Sequence, residues 1–264
     1  FKRIRANGKV FHHDAKLFNN SAIVPNYNKI NKKDVLVITV NINNYEYFRE
    51  PINIQNKDYF DWVYITDNKD LKSNFWDIRF LDEFPQLTSI ENNRLKCKYI
   101  KMMTHKLFPN YKYYLWIDSS FLIENKNLIN TIKNYSYVKL LLFLHYRYHK
   151  SLKVGNLFYE SKYCIQHGGL DKEIAKKQTH FYKNEGYPLE KKLYATGCIF
   201  RMNDNKINHA FEKWYEQNEL YTTKDQISLP YILWKYKIEP DKLMNQSMIN
   251  NELIGRIDRK TRIN

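Results

Sequence analysis

The chain has 264 residues, of which 43% are hydrophobic and 16% aromatic, so it is long and apolar enough for a packed core and is not a disordered segment. Its net charge of +15 favours anionic partners: nucleic acid, an anionic membrane or phosphorylated small molecules. It contains only 7 glycines and has neither a G-x-G-x-x-G sequence nor a P-loop, which excludes these two glycine-rich devices for binding a nucleotide.

The basic residues are spread along the chain, and a solvated, lysine-rich surface is the simpler explanation for most of the excess charge. This spread, and the lack of any RNP-type motif or Cys/His finger spacing, argues against nucleic acid as the partner. Three widely spaced cysteines do not form a disulfide framework and indicate a reducing, cytoplasmic compartment. No apolar run reaches transmembrane length, so any membrane association is predicted to be peripheral.

Residues 1–31 are polar, with weak periodicity, and are predicted to form an N-terminal arm. His12, His13 and Asp14 could bind a metal ion, although adjacent histidines in a polar arm are more often solvated. The first buried strand is predicted at 34–40, and a polar, aromatic loop follows it.

Two later predicted strands end on a carboxylate. The run Trp62–Thr66 ends at Asp67, and the strongly apolar run Tyr113–Ile117 ends at Asp118. Ligands of open α/β sheets bind at the carboxyl ends of the strands, and a buried carboxylate without a partner is costly. We therefore expect both aspartates to face one cleft. The alternative is that Asp118 merely starts a turn.

A helix predicted at 89–107 carries three cations on one face, because Arg94, Lys98 and Lys101 are spaced i, i+4, i+7. Like charges on one face repel each other unless an anion binds there. The pattern is consistent with an anion site, and a solvated lysine face is the alternative.

The remaining segments are predicted to alternate between helices (125–135, 156–167, 171–185, 207–218, 223–236) and strands (75–81, 138–144, 193–202), with a C-terminal helix or tail at 241–264. His145 and Arg147 follow one strand and suit sugar hydroxyls or phosphate. Gly197 lies inside another strand, where a glycine marks close approach of a ligand or of other protein atoms. No linker divides residues 32–240, so a single domain is predicted.

The stretch Arg94–Phe121 contains R-x-x-x-K-x-x-K, then H-x-L-F-P-x-Y, then a W-I-D strand end, and Asp225 begins D-Q-x-S-x-P-Y-x-L-W-K. These motifs resemble a glycosyltransferase-like domain family of plant pollen and seed-mucilage proteins and of many bacteria. The likeness runs roughly from Val35 to Lys237. The family is similar to the GT-A nucleotide-sugar transferases, especially the family-8 group. The resemblance implies a single GT-A-like (Rossmann-like) α/β domain with a central mixed β-sheet flanked by helices.

The resemblance also implies transfer of a hexose from a UDP- or GDP-sugar to a glycan or another hydroxyl acceptor. By analogy, Asp118, Asp225 and Gln226 are the candidate catalytic residues. The candidate donor contacts are the base-binding Thr39, Asn41 and Tyr45, the strand-end Asp67 and Ser120, the basic Arg94, Lys98 and Lys101, and His145, Arg147, Thr196 and Gly197 around the phosphates and sugar.

Related enzymes hold Mn²⁺ or Mg²⁺ with a D-x-D strand end, so the resemblance implies such a cofactor, with Asp118 as a metal ligand. Here the sequence is D-S-S, and the Ser120 hydroxyl is a weak ligand for either ion. No histidine stands in a motif that would supply a third ligand. The alternative function is a non-catalytic domain of the same fold that binds polyanions, such as nucleic acid or an anionic glycan, through its basic face.

Overall fold

The computed structural model describes residues 30–145, 156–189, 192–242, 250–251 and 255–256. The possible metal ligands His12, His13 and Asp14, most of the predicted arm and the candidate Arg147 lie outside the described residues.

Within these ranges, one mixed sheet is built from short runs of aromatic and β-branched residues, which suit a pleated, buried surface. Its strands are β1 Val35–Asn41, β2 Asp61–Thr66, β3 Asp77–Phe80, β4 Tyr113–Ile117, β5 Leu140–Leu144, β6 Tyr194–Met202 and β7 Asp241–Lys242. Their order is β3-β2-β1-β4-β6-β5-β7. The first four run parallel, and β6 is antiparallel to both neighbours. The predicted α/β fold class is confirmed.

The helices cover both faces of the sheet and are α1 Asn93–Met102, α2 Thr104–Leu107, α3 Leu128–Lys133, α4 Leu157–Gln166, α5 Lys172–Asn184, α6 Asn205–Leu220 and α7 Asp225–Lys235. The single helix predicted at 89–107 is two helices, separated at Met103. It also starts later than predicted, because the Asn92 side chain accepts the backbone N–H groups of Arg94 and Leu95 and so caps α1. None of the helices in the described ranges combines the length and apolar character that crossing a membrane requires.

The described part of the predicted C-terminal helix or tail contains strands. Asp241 and Lys242 form β7, which extends the sheet beside β5, and the pairs Asn250–Asn251 and Gly255–Arg256 form the antiparallel ribbon β8–β9. The physical reason for β7 is that β5 would otherwise leave its outer backbone groups unpaired at the sheet edge.

The core has two parts, one on each face of the sheet, because successive strand residues point to opposite faces. Tyr114 and Trp116 pack on the face covered by α1, α6 and α7, whereas Tyr113, Leu115 and Ile117 pack on the face covered by α3. A residue at 118 that continues this alternation points to the α1 face. The alternation of side chains along β4 therefore places the Asp118 side chain on the face of the sheet that α1 covers.

Strand β6 is irregular where it passes the end of β4. Against β5, Leu142 pairs with Ile199 but the next residue, Phe143, pairs with Ala195, so residues 196–198 bulge out of the ladder. Bulges commonly re-aim side chains beside functional sites. The bulge contains Thr196 and Gly197, two of the predicted site residues.

Candidate functional site

Asp118 follows the last residue of β4 and is held by both backbone and side chain. Its backbone N–H donates to the carbonyl of Gly197 at 2.7 Å, and the Trp116 indole Nε1–H donates to its Oδ1 at 2.6 Å. The side chain is 41% exposed, and Oδ2 accepts no hydrogen bond from the described part of the chain. One carboxylate oxygen is thus fixed and the other is open.

Helix α1 presents two lysines to this strand end. The Lys101 ammonium lies 3.5 Å from Oδ1 of Asp118 and 2.9 Å from Oδ2 of Asp225, at the start of α7. Lys98 lies 2.7 Å from the same Asp225 oxygen, and the Thr196 hydroxyl donates to it at 3.0 Å. The Lys101 side chain is 3% exposed and that of Asp225 is 5% exposed. Lys98, Lys101 and Asp225 thus form a largely buried ion cluster beside the Asp118 carboxylate.

The cluster shifts the pKa of each buried member. Burial by itself would raise the pKa of Asp225, but the Lys101 and Lys98 ammonium groups outweigh it, so the pKa lies well below its ordinary value. Burial would lower the pKa of Lys101, but Asp118 and Asp225 outweigh it, and the pKa is raised. Burial lowers the pKa of Lys98, and Asp225 offsets only part of this. Asp225 and Lys101 are therefore both charged at neutral pH.

The two oxygens of Asp225 differ. Among the residues that the structure describes, none donates a hydrogen bond to its buried Oδ1, whereas three donors reach its Oδ2. The Gln226 amide lies beside it, with Nε2 at 3.4 Å from the Thr196 hydroxyl. The motif D-Q thus places a buried, charged residue and a half-buried amide next to the β6 bulge.

Gly197, in the β6 bulge, packs against the residues that follow β4. A Cβ added there would lie 2.7 Å from Cε2 of Phe121 and 3.1 Å from Oδ2 of Asp118. Real Cβ atoms essentially never approach another heavy atom within 3.0 Å, so the glycine makes room for the Phe121 ring and the carboxylate. The structure therefore gives Gly197 a packing role, the alternative that sequence reasoning left open.

Gly197→Ala is expected to lower the free energy of unfolding by about 1–3 kcal/mol through overpacking and to displace Asp118. Urea denaturation measures the first effect and donor binding the second. The control is Gly169→Ala, where the nearest atom would be the Cys164 carbonyl oxygen at an ordinary 3.5 Å. Equal stability of both variants and the wild type would contradict the packing role.

The predicted base contacts lie apart from this cluster. Thr39 and Asn41 continue the alternation of β1 on the face opposite Lys101. The Asn41 amide is already occupied, since it donates to the Glu46 carbonyl at 2.6 Å and accepts the Glu46 backbone N–H at 3.1 Å. Tyr45 in the following loop is exposed. Asn41 therefore shapes the loop that presents Tyr45, and a direct contact of either with a base stays a prediction.

The other predicted residues lie at or just after the carboxyl ends of their strands. Asp67 directly follows β2, which is separated from β4 by β1, and its carboxylate accepts the Asn43 backbone N–H at 3.0 Å. His145 directly follows β5 and is buried, with its backbone N–H donating to the Leu193 carbonyl. Ser120 is half-buried two residues after Asp118. A single cleft lined by Asp67 and Asp118 stays a prediction.

Two residues of the site were not predicted from the sequence. Trp116 holds Oδ1 of Asp118, and the Phe121 ring packs beside Gly197 in the β6 bulge. A signal for Trp116 was present, because a buried indole N–H needs an acceptor and the residue two positions on is a carboxylate. Phe121 offered no such signal. Its contact with Gly197 depends on two segments 76 residues apart in sequence.

Most of the chain matches one known protein family. Residues 21–261 match the model of the TOD1/MUCI70 glycosyltransferase-like domain. The chain belongs to this family. A protein of Arabidopsis thaliana named probable hexosyltransferase MUCI70 is 26% identical over 166 residues, which cover 60% of this chain. The matched stretch spans only 27% of that plant protein.

Membership of the TOD1/MUCI70 family supports glycosyltransferase activity in general and makes the Asp118 region its candidate active site. The nearby thiols do not offer an alternative nucleophile, since burial raises the pKa of Cys97 to about 11 and also raises the pKa of Cys198. Both are therefore protonated at neutral pH.

The Mn²⁺ or Mg²⁺ ion implied by the resemblance has no matching ligand set among the residues the structure describes. No three His, Cys, Asp or Glu side chains are grouped there so as to hold a metal ion. At the D-S-S strand end, Oδ1 of Asp118 is taken by the Trp116 indole and faces the Lys101 ammonium. These residues do not fit a divalent metal ion, and the cofactor stays a prediction from the resemblance.

Proposed function

We propose that this chain transfers a hexose from a nucleotide-diphosphate sugar to a hydroxyl of a glycan. One observation carries the proposal. In a TOD1/MUCI70 glycosyltransferase-like domain, Asp118 presents its open Oδ2 at the carboxyl end of β4, next to the ion cluster of Lys98, Lys101 and Asp225. This is the edge where open α/β sheets bind their ligands. The free cysteines Cys97, Cys164 and Cys198 agree with the predicted cytoplasmic location.

The reaction breaks the bond between the anomeric carbon and the diphosphate oxygen and forms one to the acceptor oxygen. It releases a nucleoside diphosphate and the acceptor proton. The enzyme therefore has to place two reactants and stabilise an anionic leaving group. Asp118 is the group proposed to touch the donor, because it alone among the two aspartates of the cluster has an exposed oxygen.

Asp225 is proposed to act through the lysines instead. It is 5% exposed, so it cannot meet a substrate unless the site opens, but it holds Lys98 and Lys101 in place. The sequence predicted Asp225 as catalytic. Because it is buried, we propose that Asp225 is a positioning residue, with the half-buried Gln226 beside it.

The test is a screen of UDP- and GDP-sugars that measures both thermal stabilisation and release of nucleoside diphosphate. A ligand at a hundredfold excess over its Kd stabilises the folded state by roughly 2.7 kcal/mol, which is a clear shift in melting temperature. We expect one nucleotide class to stabilise the protein and its sugar to be hydrolysed or transferred. Stabilisation by RNA or heparin, and by none of the nucleotides, would favour the polyanion-binding alternative.

The ion cluster already argues against that alternative. Two of the three cations on the α1 face, Lys98 and Lys101, are paired with Asp225 and Asp118, so they do not form an open basic strip. Arg94 is exposed on the same face, and its side chain makes no hydrogen bond or ion pair within the described ranges. It is therefore the cation best placed to meet a diphosphate.

Arg94→Ala is expected to raise the Kd for the nucleotide diphosphate about 10- to 100-fold, the value of a charge-assisted hydrogen bond, and to leave stability unchanged. Isothermal titration measures the first and thermal denaturation the second. Lys96→Ala is the matched control, because Lys96 lies on the opposite side of α1. Equal Kd values for the two variants would show that the charge of Arg94 has no specific role.

A further inference from the structure

The Lys101 ammonium lies beside the strand end at which the resemblance implies a divalent cation. It lies on the α1 side of the β4 strand end, 3.5 Å from Oδ1 of Asp118, and its position is set by Asp225 at 2.9 Å. The Trp116 ring lies below it, with the centroid 5.4 Å from Nζ. A cation held by two carboxylates and an aromatic face has little freedom to leave.

A divalent ion bound to Oδ1 of Asp118 would have to displace parts of this arrangement. Mg²⁺ binds oxygen at about 2.0–2.1 Å, and at that distance from Oδ1 the ion would compete with the Trp116 indole N–H and be repelled by Lys101. Only Oδ2 is open to an ion without this competition. The second carboxylate of a D-x-D strand end is replaced by Ser120 here. The strand end therefore has one carboxylate fewer than a D-x-D sequence would supply, and it holds an ammonium group beside Asp118.

We propose that Lys101 is the resident cation of this site and that donor binding needs no divalent metal ion. The inference rests on the proposed function. Lys101 cancels the charge of Asp118, so that an anionic diphosphate can approach the open Oδ2 without repulsion. Arg94 and the 17% exposed Lys98 then give the site one cation more than it has carboxylates.

The first measurement needs no variant. The nucleoside diphosphate found in the screen is titrated into the wild-type protein in excess EDTA and again in Mn²⁺, and Mn²⁺ alone is titrated with electron paramagnetic resonance as the readout. We expect the two nucleotide Kd values to agree within threefold and free Mn²⁺ to stay unbound. Nucleotide binding that is lost in EDTA and restored by Mn²⁺, or tight binding of Mn²⁺ to the free protein, would overturn the inference.

The second measurement restores the missing ligand. In Lys101→Ala, nucleotide affinity should fall at least tenfold, and Mn²⁺ should not rescue it. In Lys101→Ala/Ser120→Asp, the D-x-D pattern returns without the competing ammonium, and both Mn²⁺ binding and Mn²⁺-dependent nucleotide binding should appear. Rescue of the single variant by Mn²⁺ would contradict the proposal, since it would mean that Asp118 binds the metal without a second carboxylate in place of the Ser120 hydroxyl.

The two proposals fail in different ways. If no nucleotide binds in either EDTA or Mn²⁺, the proposed function is wrong and the inference falls with it. If nucleotide binds only with Mn²⁺, the function stands and Lys101 is not the resident cation. The Mn²⁺ titration of the free protein is independent of the substrate, so it tests the cation site whatever the donor is.

Discussion

Asp225→Asn is expected to lower the free energy of unfolding by about 3–5 kcal/mol, the usual cost of removing one partner of a buried ion pair. The variant leaves the ammonium groups of Lys98 and Lys101 without the carboxylate that they share at 2.7 and 2.9 Å. Asparagine has the same shape, and its amide oxygen can still accept the Thr196 hydroxyl. The loss therefore reports the missing charge. Urea denaturation followed by tryptophan fluorescence measures it.

The loss should depend on pH. The pKa of the Asp225 carboxyl in the folded state lies below its ordinary value of 3.8, so its stabilising contribution is present above the unfolded-state pKa and is lost as the pH falls through the folded-state pKa. We expect a constant difference between wild type and variant from about pH 5 to 7, which narrows below about pH 4. A difference that widens in acid would contradict the assignment of Asp225 as a buried anion.

Asp82→Asn is the matched control. It breaks the Lys69–Asp82 ion pair, whose side chains are both exposed, and such surface pairs contribute little to stability. No measurable change is expected. In Lys98→Met/Asp225→Asn, removal of one stranded ammonium should recover part of the stability, giving a non-additive double-mutant cycle. Strict additivity would mean that Lys98 and Asp225 do not interact.

Asp118→Asn is expected to reduce transfer by about 10²–10³-fold, as removal of one preorganised electrostatic group does in other enzymes, with little change in melting temperature. The fold should tolerate the change because the side chain is 41% exposed and β4 ends before it. Asparagine removes the charge of the open Oδ2 but can still accept the Trp116 indole N–H. Steady-state rates and thermal denaturation of the same preparation give the two values.

Two further variants test whether the loss of rate is specific to the Asp118 carboxylate. Asp70→Asn changes an exposed aspartate after β2 and should leave the rate unchanged. Trp116→Phe keeps the buried ring but removes the N–H that fixes Oδ1, so it should reduce the rate less than Asp118→Asn does. A rate in Asp118→Asn equal to that of wild type would remove Asp118 from the active site and leave the proposed function without its central residue.

Much of the fold could be predicted from residue patterns. The predicted strand Tyr113–Ile117 has the observed bounds of β4, because a run of apolar aromatic and branched residues without a helical period suits only a buried strand. Helix α5 was predicted at 171–185 and spans Lys172–Asn184, because the Asp171 side chain accepts the Ile174 backbone N–H and caps it. The ends of other helices were less predictable: a helix was predicted from residue 89, but α1 starts at Asn93 because Asn92 caps it.

The candidate site was predictable in its members but only partly in its arrangement. Asp118, Lys101 and Asp225 were all named as site residues, yet the sequence suggested open lysines facing an anion, whereas the structure pairs them with the two aspartates. Lys101 and Asp225 are 124 residues apart. Periodicity says which face of a helix a lysine lies on, but not which distant helix end will meet it.

The sequence by itself determined most of the strands and helices, the family motifs and the carboxylate after β4, because these depend on local periods and spacings. Only the tertiary structure decided that Lys101 bridges Asp118 and Asp225, that Gly197 makes room for Phe121, and that residues 196–198 leave the ladder with β5. Each of these contacts depends on how segments distant in sequence pack together. Close packing in the core fixes the atomic positions, and no single segment specifies them.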